Sequence, residues 1–576
     1  MCIQKRYDKK EFLNVKFNTL NWSINKKEYI LLSALVVLFI IFHLWGVSIP
    51  YHQDEYKWVY YSHPELVPAG TVPHPPLTEF IYTKIGPIVG DSNFRFIPFA
   101  FGFVNLFLLF YLAKIIFDKK TAFWTAFLFV ISFYSLLATL MVDVDGAVMP
   151  FFFLILSIGY FKCKELGWKN WKWIILLFIG AVGGFLIKVS TVLPLVAIAL
   201  DFAIEKKVFS DKKRLLEYSL SILGVILFLI LVLLGAKYIF PFFNLKYALG
   251  YWEHFWTGSS FLNRGWFQTF IQFAKSILYS SPLLLAPVFF MDKDIFKKTR
   301  AFFLFIFLGL FFYLFAFDFS LGALDRYLQF LVIPLCLISG AIFAKYFAKP
   351  EKKSILIAII ISLGIFLLQF VKHFTPPLYP KTEWIHRLVS LKWNFLYPFS
   401  GGSGPLAFYI SFAFMALIWI TCIFFALIFL KKREFKKELL FCILILGLLY
   451  NAVFIEEYLF GKINGSARTL VHDVALFIKN NKDIKKVTVY NDNGGFNVQQ
   501  TGKYRKRLYI DPKFDINEKM ATLNQYKEHY LVIDIPHIDP NTIYARYFNS
   551  CQVIFEKISG SISSKIYDCT KAPNIK

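Results

Sequence analysis

Two carboxylates, Asp54 and Glu55, stand just past the first long apolar segment, and His74-Pro75-Pro76-Leu77 follows in the same loop. Other ionisable residues recur at comparable breaks. Asp143 and Asp145 occupy a very short turn between two apolar runs, and Lys188 interrupts another pair within Leu186-Ile187-Lys188-Val189-Ser190. Asp325-Arg326-Tyr327 stands where a loop enters a further run. Ionisable groups near membrane depth are costly and read as functional by default. One carboxylate with nearby cations suits a particular chemistry. The carboxylate takes a proton from an acceptor while the cations hold a departing phosphate. Phosphate is already a weak base and needs little acid assistance, whereas a glycosidase needs two carboxylates flanking one bond. The plain alternative is that helix-end charges only snorkel or mark the interface. For His74 it is a cap or a surface histidine before the Pro-Pro helix start.

The elements that must position these residues are membrane spans. The chain is 57% hydrophobic, with a mean hydropathy of +0.53, well above a soluble domain. A bilayer-crossing helix needs about 20 mostly apolar residues, and about thirteen such segments can be read. They lie near 29–47, 96–117, 122–141, 146–161, 172–187, 190–204, 216–240, 276–291, 301–317, 328–344, 354–372, 406–430 and 439–456. No small-residue cleavage site follows the first one, so no removable leader is expected. Lys and Arg collect in alternate loops: 26–27, 119–120, 162–172, 206–214, 293–300, 345–353 and 431–437. The positive-inside rule puts these, and the N-terminus, in the cytoplasm. An odd number of spans then sends Asp54, Asp143, Lys188, Arg326 and the C-terminal tail outside.

The formal net charge of +25 is spent mainly on topology and would attract anionic lipid, so a nucleic-acid partner is not expected. Residues 1–28 form a basic lead-in, 29–460 the membrane region, and 461–576 an extracytoplasmic α/β domain. In that tail, 467–480 reads as an amphipathic helix, with strands at 486–490, 506–510, 530–535 and 551–556 and helices near 516–528 and 541–548. Asp492-Asn493-Gly494-Gly495 lacks a phosphate-loop pattern and reads as a plain turn. Cys551 and Cys569, the cysteines of the tail, could pair. Three outer loops, 48–95, 241–275 and 373–405, are long and rich in Trp, Tyr and Phe. They read either as surface helices covering a cavity or as an aromatic belt.

Nucleotide sugars are scarce outside the cytoplasmic membrane, so an enzyme there needs a donor carried by lipid. A polyprenyl-phosphate sugar fits, its tail lying among the spans. His52, Asp54, His63 and His74 share a loop without tight ligand spacing, so no metal or other cofactor is required.

Several ordered pieces resemble the GT-C membrane glycosyltransferases of the dolichyl-phosphate-mannose–protein mannosyltransferase superfamily. They are Asp54-Glu55-Tyr56, His74-Pro75-Pro76-Leu77, Arg95-Phe96-Ile97-Pro98, Asp145-Gly146, Leu186-Ile187-Lys188, and Arg326-Tyr327-Leu328 with Pro334. The bacterial branch that includes the lipid A aminoarabinose transferase is similar in shape, but carries Lys where this chain has His74. The resemblance implies Asp54 as base or acceptor-positioning carboxylate and Asp145 as a second site carboxylate. It implies Lys188 and Arg326 as donor-phosphate or cavity residues.

The resulting expectation is a polytopic α-helical membrane protein of GT-C type with a C-terminal α/β domain, in the cytoplasmic membrane. It would be an inverting transferase moving a sugar from a polyprenyl-phosphate donor to an outer-face lipid, glycan or protein. Asp54, Glu55 and Asp145 are the candidate catalytic residues. His74, Asp143, Lys188, Arg326 and Tyr327 are the candidate phosphate or substrate contacts. An oligosaccharide ligase and a transporter without chemistry are the rival readings.

Overall fold

The computed structural model describes residues 26–63, 74–257, 266–316, 324–347, 351–376, 382–399, 405–490, 495–508, 523–534 and 543–572. Among them, ten helices are long and apolar enough to cross a bilayer, from Glu28–Gly46 to Lys436–Leu459. The expected thirteen segments each contain a helix, but the count of full spans falls for identifiable reasons. The segment at 122–141 is a pair, Lys119–Ile131 and Phe133–Leu140, bent by 68°. Counting it as one span gives eleven. The bend frees the Phe133 amide, which donates to Asn451 Oδ1 at 2.8 Å. A broken helix inside a bilayer survives only when such freed groups find partners. The segments at 172–187 and 190–204 become Trp171–Ile187, of 17 residues, and Val192–Glu205, of 14. At 1.5 Å per residue these rise only about 25 and 21 Å. The run at 406–430 opens as strand, Phe408–Ser411, before its helix begins at Phe412.

Burial sorts the spans. The most apolar window of Leu328–Tyr346 is 94% buried, against 11% for Lys212–Ile239. The first is therefore the core of the bundle, and the second presents its side chains to lipid. The long loops hold short helices, among them Gln53–Tyr61, Leu245–Thr257 and Thr382–Val389.

Strands β1 (Leu396–Phe399) and β2 (Phe408–Ser411) pair antiparallel. Beyond the last span, five strands form a sheet in the order β4-β3-β5-β7-β6. Here β3 is Val487–Tyr490, β4 Tyr504–Leu508, β5 His529–Asp534, β6 Gln552–Ser559 and β7 Ile562–Asp568. β3 is parallel to β4 and β5, while β7 is antiparallel to β5 and β6. β7 was not anticipated from sequence. Helix Ala467–Asn480 packs its apolar face on β6 and β7, and a disulfide joins Cys551 to Cys569. The turn read at 492–495 falls largely, and the helix read at 516–528 mostly, outside the described residues. This region reaches back to the first span: Arg468 donates to Trp45 O at 3.0 Å and to Ser48 Oγ at 2.6 Å. Cationic side chains suit the carbonyl end of a helix.

Candidate active site

Four breaks between helices meet at one end of the bundle. Asp54 lies in the first turn of Gln53–Tyr61. Pro75 and Pro76 open Pro76–Phe80, and Thr78 Oγ1 donates to Ile187 O at 2.6 Å, tying this loop to the residue before Lys188. Lys188 follows Trp171–Ile187 in extended backbone. Asp143 is also extended, its carboxylate accepting from Val144 N, and a single π turn, Val144–Val148, carries Asp145. Such turns inside α-helices occur often at functional sites. A Cβ at Gly146 would lie 2.0 Å from Ala138 O, so this turn sits against backbone that only glycine allows.

Arg326 is the hub. Its Nη1 donates to Asp54 Oδ2 at 3.1 Å, its Nε lies 2.8 Å from Asp143 Oδ2 and 3.9 Å from Asp145 Oδ2. Its Nη2 donates to Tyr327 Oη at 2.9 Å. Lys188 Nζ sits 2.5 and 2.7 Å from the two oxygens of Asp145 and 4.5 Å above the Tyr327 ring. Lys57 contacts Asp54 Oδ1 at 2.5 Å from a half-exposed position. Three aspartates thus share two partly buried cations and one exposed one.

The electrostatics follow from this crowding. Burial would raise the Asp54 carboxyl, but Arg326 and Lys57 hold it below its ordinary value. Burial wins at Asp143, which is raised despite Arg326. Burial opposes the charge on Lys188, yet Asp145 raises it. Burial brings His74 down to about 3, with Lys188 and Arg326 pushing the same way. The imidazole is therefore uncharged at neutral pH and can offer a hydrogen bond but no cation. It lies 4.9 Å from the Trp58 ring.

Glu55 is elsewhere. Successive residues on a helix point about 100° apart. Its carboxylate turns into the protein, pairing with the guanidinium of Arg95 through Nη1 and, at 2.8 Å, through Nη2. Its oxygens also accept from His52 N at 2.9 Å and Val142 N at 3.1 Å. Arg95, fully buried, further donates to the carbonyls of Ile49, Pro50 and Leu140 at 3.0, 3.1 and 2.8 Å. This knot fixes the segment before Asp54 against the segment before Asp143. Sequence reasoning noted Arg95 as a helix start but not as a site residue. A lone arginine before an apolar run was the available signal. Among the described residues, no group of three or more His, Cys, Asp or Glu could hold a metal ion. His63 instead faces Asp91 at 3.0 Å.

Residues 73–235, which include His74, Asp143, Asp145 and Lys188, match the family model described as dolichyl-phosphate-mannose-protein mannosyltransferase. The fold over nearly the whole chain is that of ArnT from Cupriavidus metallidurans. The apo crystal structure matches with a TM-score of 0.52 and 11% identity, covering 95% of this chain and 99% of that one. The chain therefore has the GT-C type of membrane fold. The crystal structure of ArnT bound to undecaprenyl phosphate matches this chain with a TM-score of 0.50 and 10% identity, covering 94% of this chain and 97% of that one. No curated protein matches by sequence.

Proposed function

We propose that the protein transfers a sugar from a polyprenyl-phosphate donor to a nucleophilic acceptor on the outer face of the cytoplasmic membrane, with inversion at the anomeric carbon. The observation that carries this reading is the convergence of Asp54, Asp143, Asp145, Lys188 and Arg326 from four separate breaks in the chain. Asp54 accepts the acceptor's proton as its nucleophilic atom bonds to the anomeric carbon. The bond from that carbon to the phosphate oxygen breaks, and the phosphate leaves with the electron pair, held by Arg326 and Lys188.

In the resting site these cations already neutralise carboxylates, so a donor phosphate enters by exchange. When it draws Arg326 away, Asp54 loses a cation that holds its pKa down and becomes a stronger base. Asp143 and Asp145 keep the two cations in place between turnovers. Tyr327 braces both, and neutral His74 contributes packing or one hydrogen bond. Glu55 acts through Arg95 as a positioning residue. The fold shared with ArnT, which was solved with undecaprenyl phosphate, supports the lipid-phosphate class of donor. The basic loops at the far ends of the spans support an outward-facing site.

The test is transfer by purified protein from radiolabelled polyprenyl-phosphate sugars into a membrane extract, with Asp54→Asn alongside. Label moving into a defined product, and not with the variant, is the expected result. Full activity in a folded Asp54→Asn protein would remove Asp54 as the base.

A further inference from the structure

At the other end of the bundle, a cavity of about 540 Å³ opens between the first helix, Lys26–Gly46, and Lys119–Ile131. Its wall is apolar: Leu31 and Leu35 on one helix, Phe123, Trp124 and Phe127 on the other. Its mouth is polar: Glu28, Lys119 and Lys120. Lys119 lies 3.5 Å from Glu28, and Lys120 is exposed. From Lys120 to Phe127 the wall descends about 10 Å at 1.5 Å per residue, enough for a glycerol backbone and the first methylenes of an acyl chain. Trp124 is fixed at the back by rings at 5.2 and 4.9 Å, Phe343 and Phe347.

Two features separate this slot from an ordinary basic loop. Lysines that only set topology work anywhere near a span end, whereas these rim an apolar cavity. They also occupy the first turn of a helix, where the macrodipole disfavours cations and favours an anion. Asp118 already caps that N-terminus, accepting from Thr121 N at 2.7 Å, so an incoming anion meets the lysines. The lining residues carry two positive charges and one negative, so the complementary ligand has one net negative charge.

We infer that this slot binds one anionic glycerophospholipid of the phosphatidylglycerol class, its phosphate at Lys119 and Lys120, a headgroup hydroxyl donating to Glu28, and an acyl chain along Trp124. Basic pockets between spans on the cytoplasmic side take such headgroups. The inference does not depend on the transfer reaction.

Native mass spectrometry of delipidated full-length protein, titrated with phosphatidylglycerol or phosphatidylcholine, tests it. Wild type retains phosphatidylglycerol in preference to phosphatidylcholine. Lys119→Gln with Lys120→Gln lowers phosphatidylglycerol affinity by about 25-fold, at roughly fivefold per lysine, and leaves phosphatidylcholine unchanged. Because that pair also bears on insertion, Leu31→Trp fills the slot with every charge intact and lowers phosphatidylglycerol retention too. Equal retention of both lipids by wild type, or unchanged phosphatidylglycerol retention in Leu31→Trp or in a correctly inserted double variant, would overturn it.

Discussion

At each end of the bundle, aspartate is buried against an arginine and a lysine from other helices, yet the two clusters do different work. Helix Val192–Glu205 runs between them, from just past Lys188 to Asp201, a rise of about 14 Å from Val192. At the far end, Asp201 Oδ1 takes Arg300 Nε at 2.6 Å, and Oδ2 takes Tyr160 Oη at 2.6 Å and Lys164 Nζ at 3.4 Å. Arg300 Nη2 also donates to the Asp201 carbonyl at 3.0 Å, and Lys164 reaches Glu205. Two acids, Asp201 and Glu205, face two cations on neighbouring helices, a matched set that makes a staple. At the near end, three aspartates divide Arg326 and Lys188 among them, so each cation has partners it can exchange. Identical residue types give a staple when buried cations match the acids, and a site when the acids outnumber them.

Substitutions at the two ends test that contrast. The largest effect belongs to Asp54→Asn, which should lower turnover by about 10²–10⁴-fold without moving the melting temperature. Asp201→Ala should act in the opposite sense. It removes the nearer carboxylate of the partly buried Arg300 and empties a buried site, costing about 2–4 kcal/mol of stability, with turnover per folded molecule retained; an equal loss of turnover would erase the distinction. Glu55→Gln should behave like the staple, leaving the fully buried Arg95 without its carboxylate and lowering stability by about 3–5 kcal/mol while donor affinity stays unchanged in a binding assay. Arg326→Lys keeps the charge but loses the fork, and should raise the donor KM about tenfold, the equivalent of one charge-assisted hydrogen bond.

The smallest effect is a pH slope. His74 stays neutral in the folded protein down to about 3, against an ordinary value of 6.5. Between those limits the unfolded chain binds a proton that the folded one does not. His74 therefore lets the fold keep its full stability above about 6.5 and removes part of it as pH falls. Thermal unfolding at pH 7 and 5 should show His74→Gln with a shallower loss than wild type.

The alternation of apolar runs and basic loops was enough to put Asp54, Asp143, Asp145, Lys188 and Arg326 on one face, because each stands at a break of the same parity. Their mutual distances were not legible, since they depend on a π turn at Val144–Val148 and a bend after Ile131 that no periodicity announces. That Glu55 points away from Asp54 was legible from their adjacency on one helix; its partner Arg95 was not. Apolar run length overstated the number of full spans, because Trp171–Ile187 and Val192–Glu205 are shortened by the Lys188 break that gives the site its lysine. β7 was missed because its polar outer residues hide a strand whose inner face is buried.

The ion pair between Asp54 and Arg326 closes across 272 residues of sequence. During synthesis the ribosome delivers all three acids, then Lys188, long before it delivers Arg326. The nascent protein must carry an acidic pocket with too few cations through the insertion of several later helices. A carboxylate without its partner resists burial, so the early helices cannot close around that pocket on their own. Arg326 thus completes the charge balance of a pocket whose acids all lie in the first third of the chain.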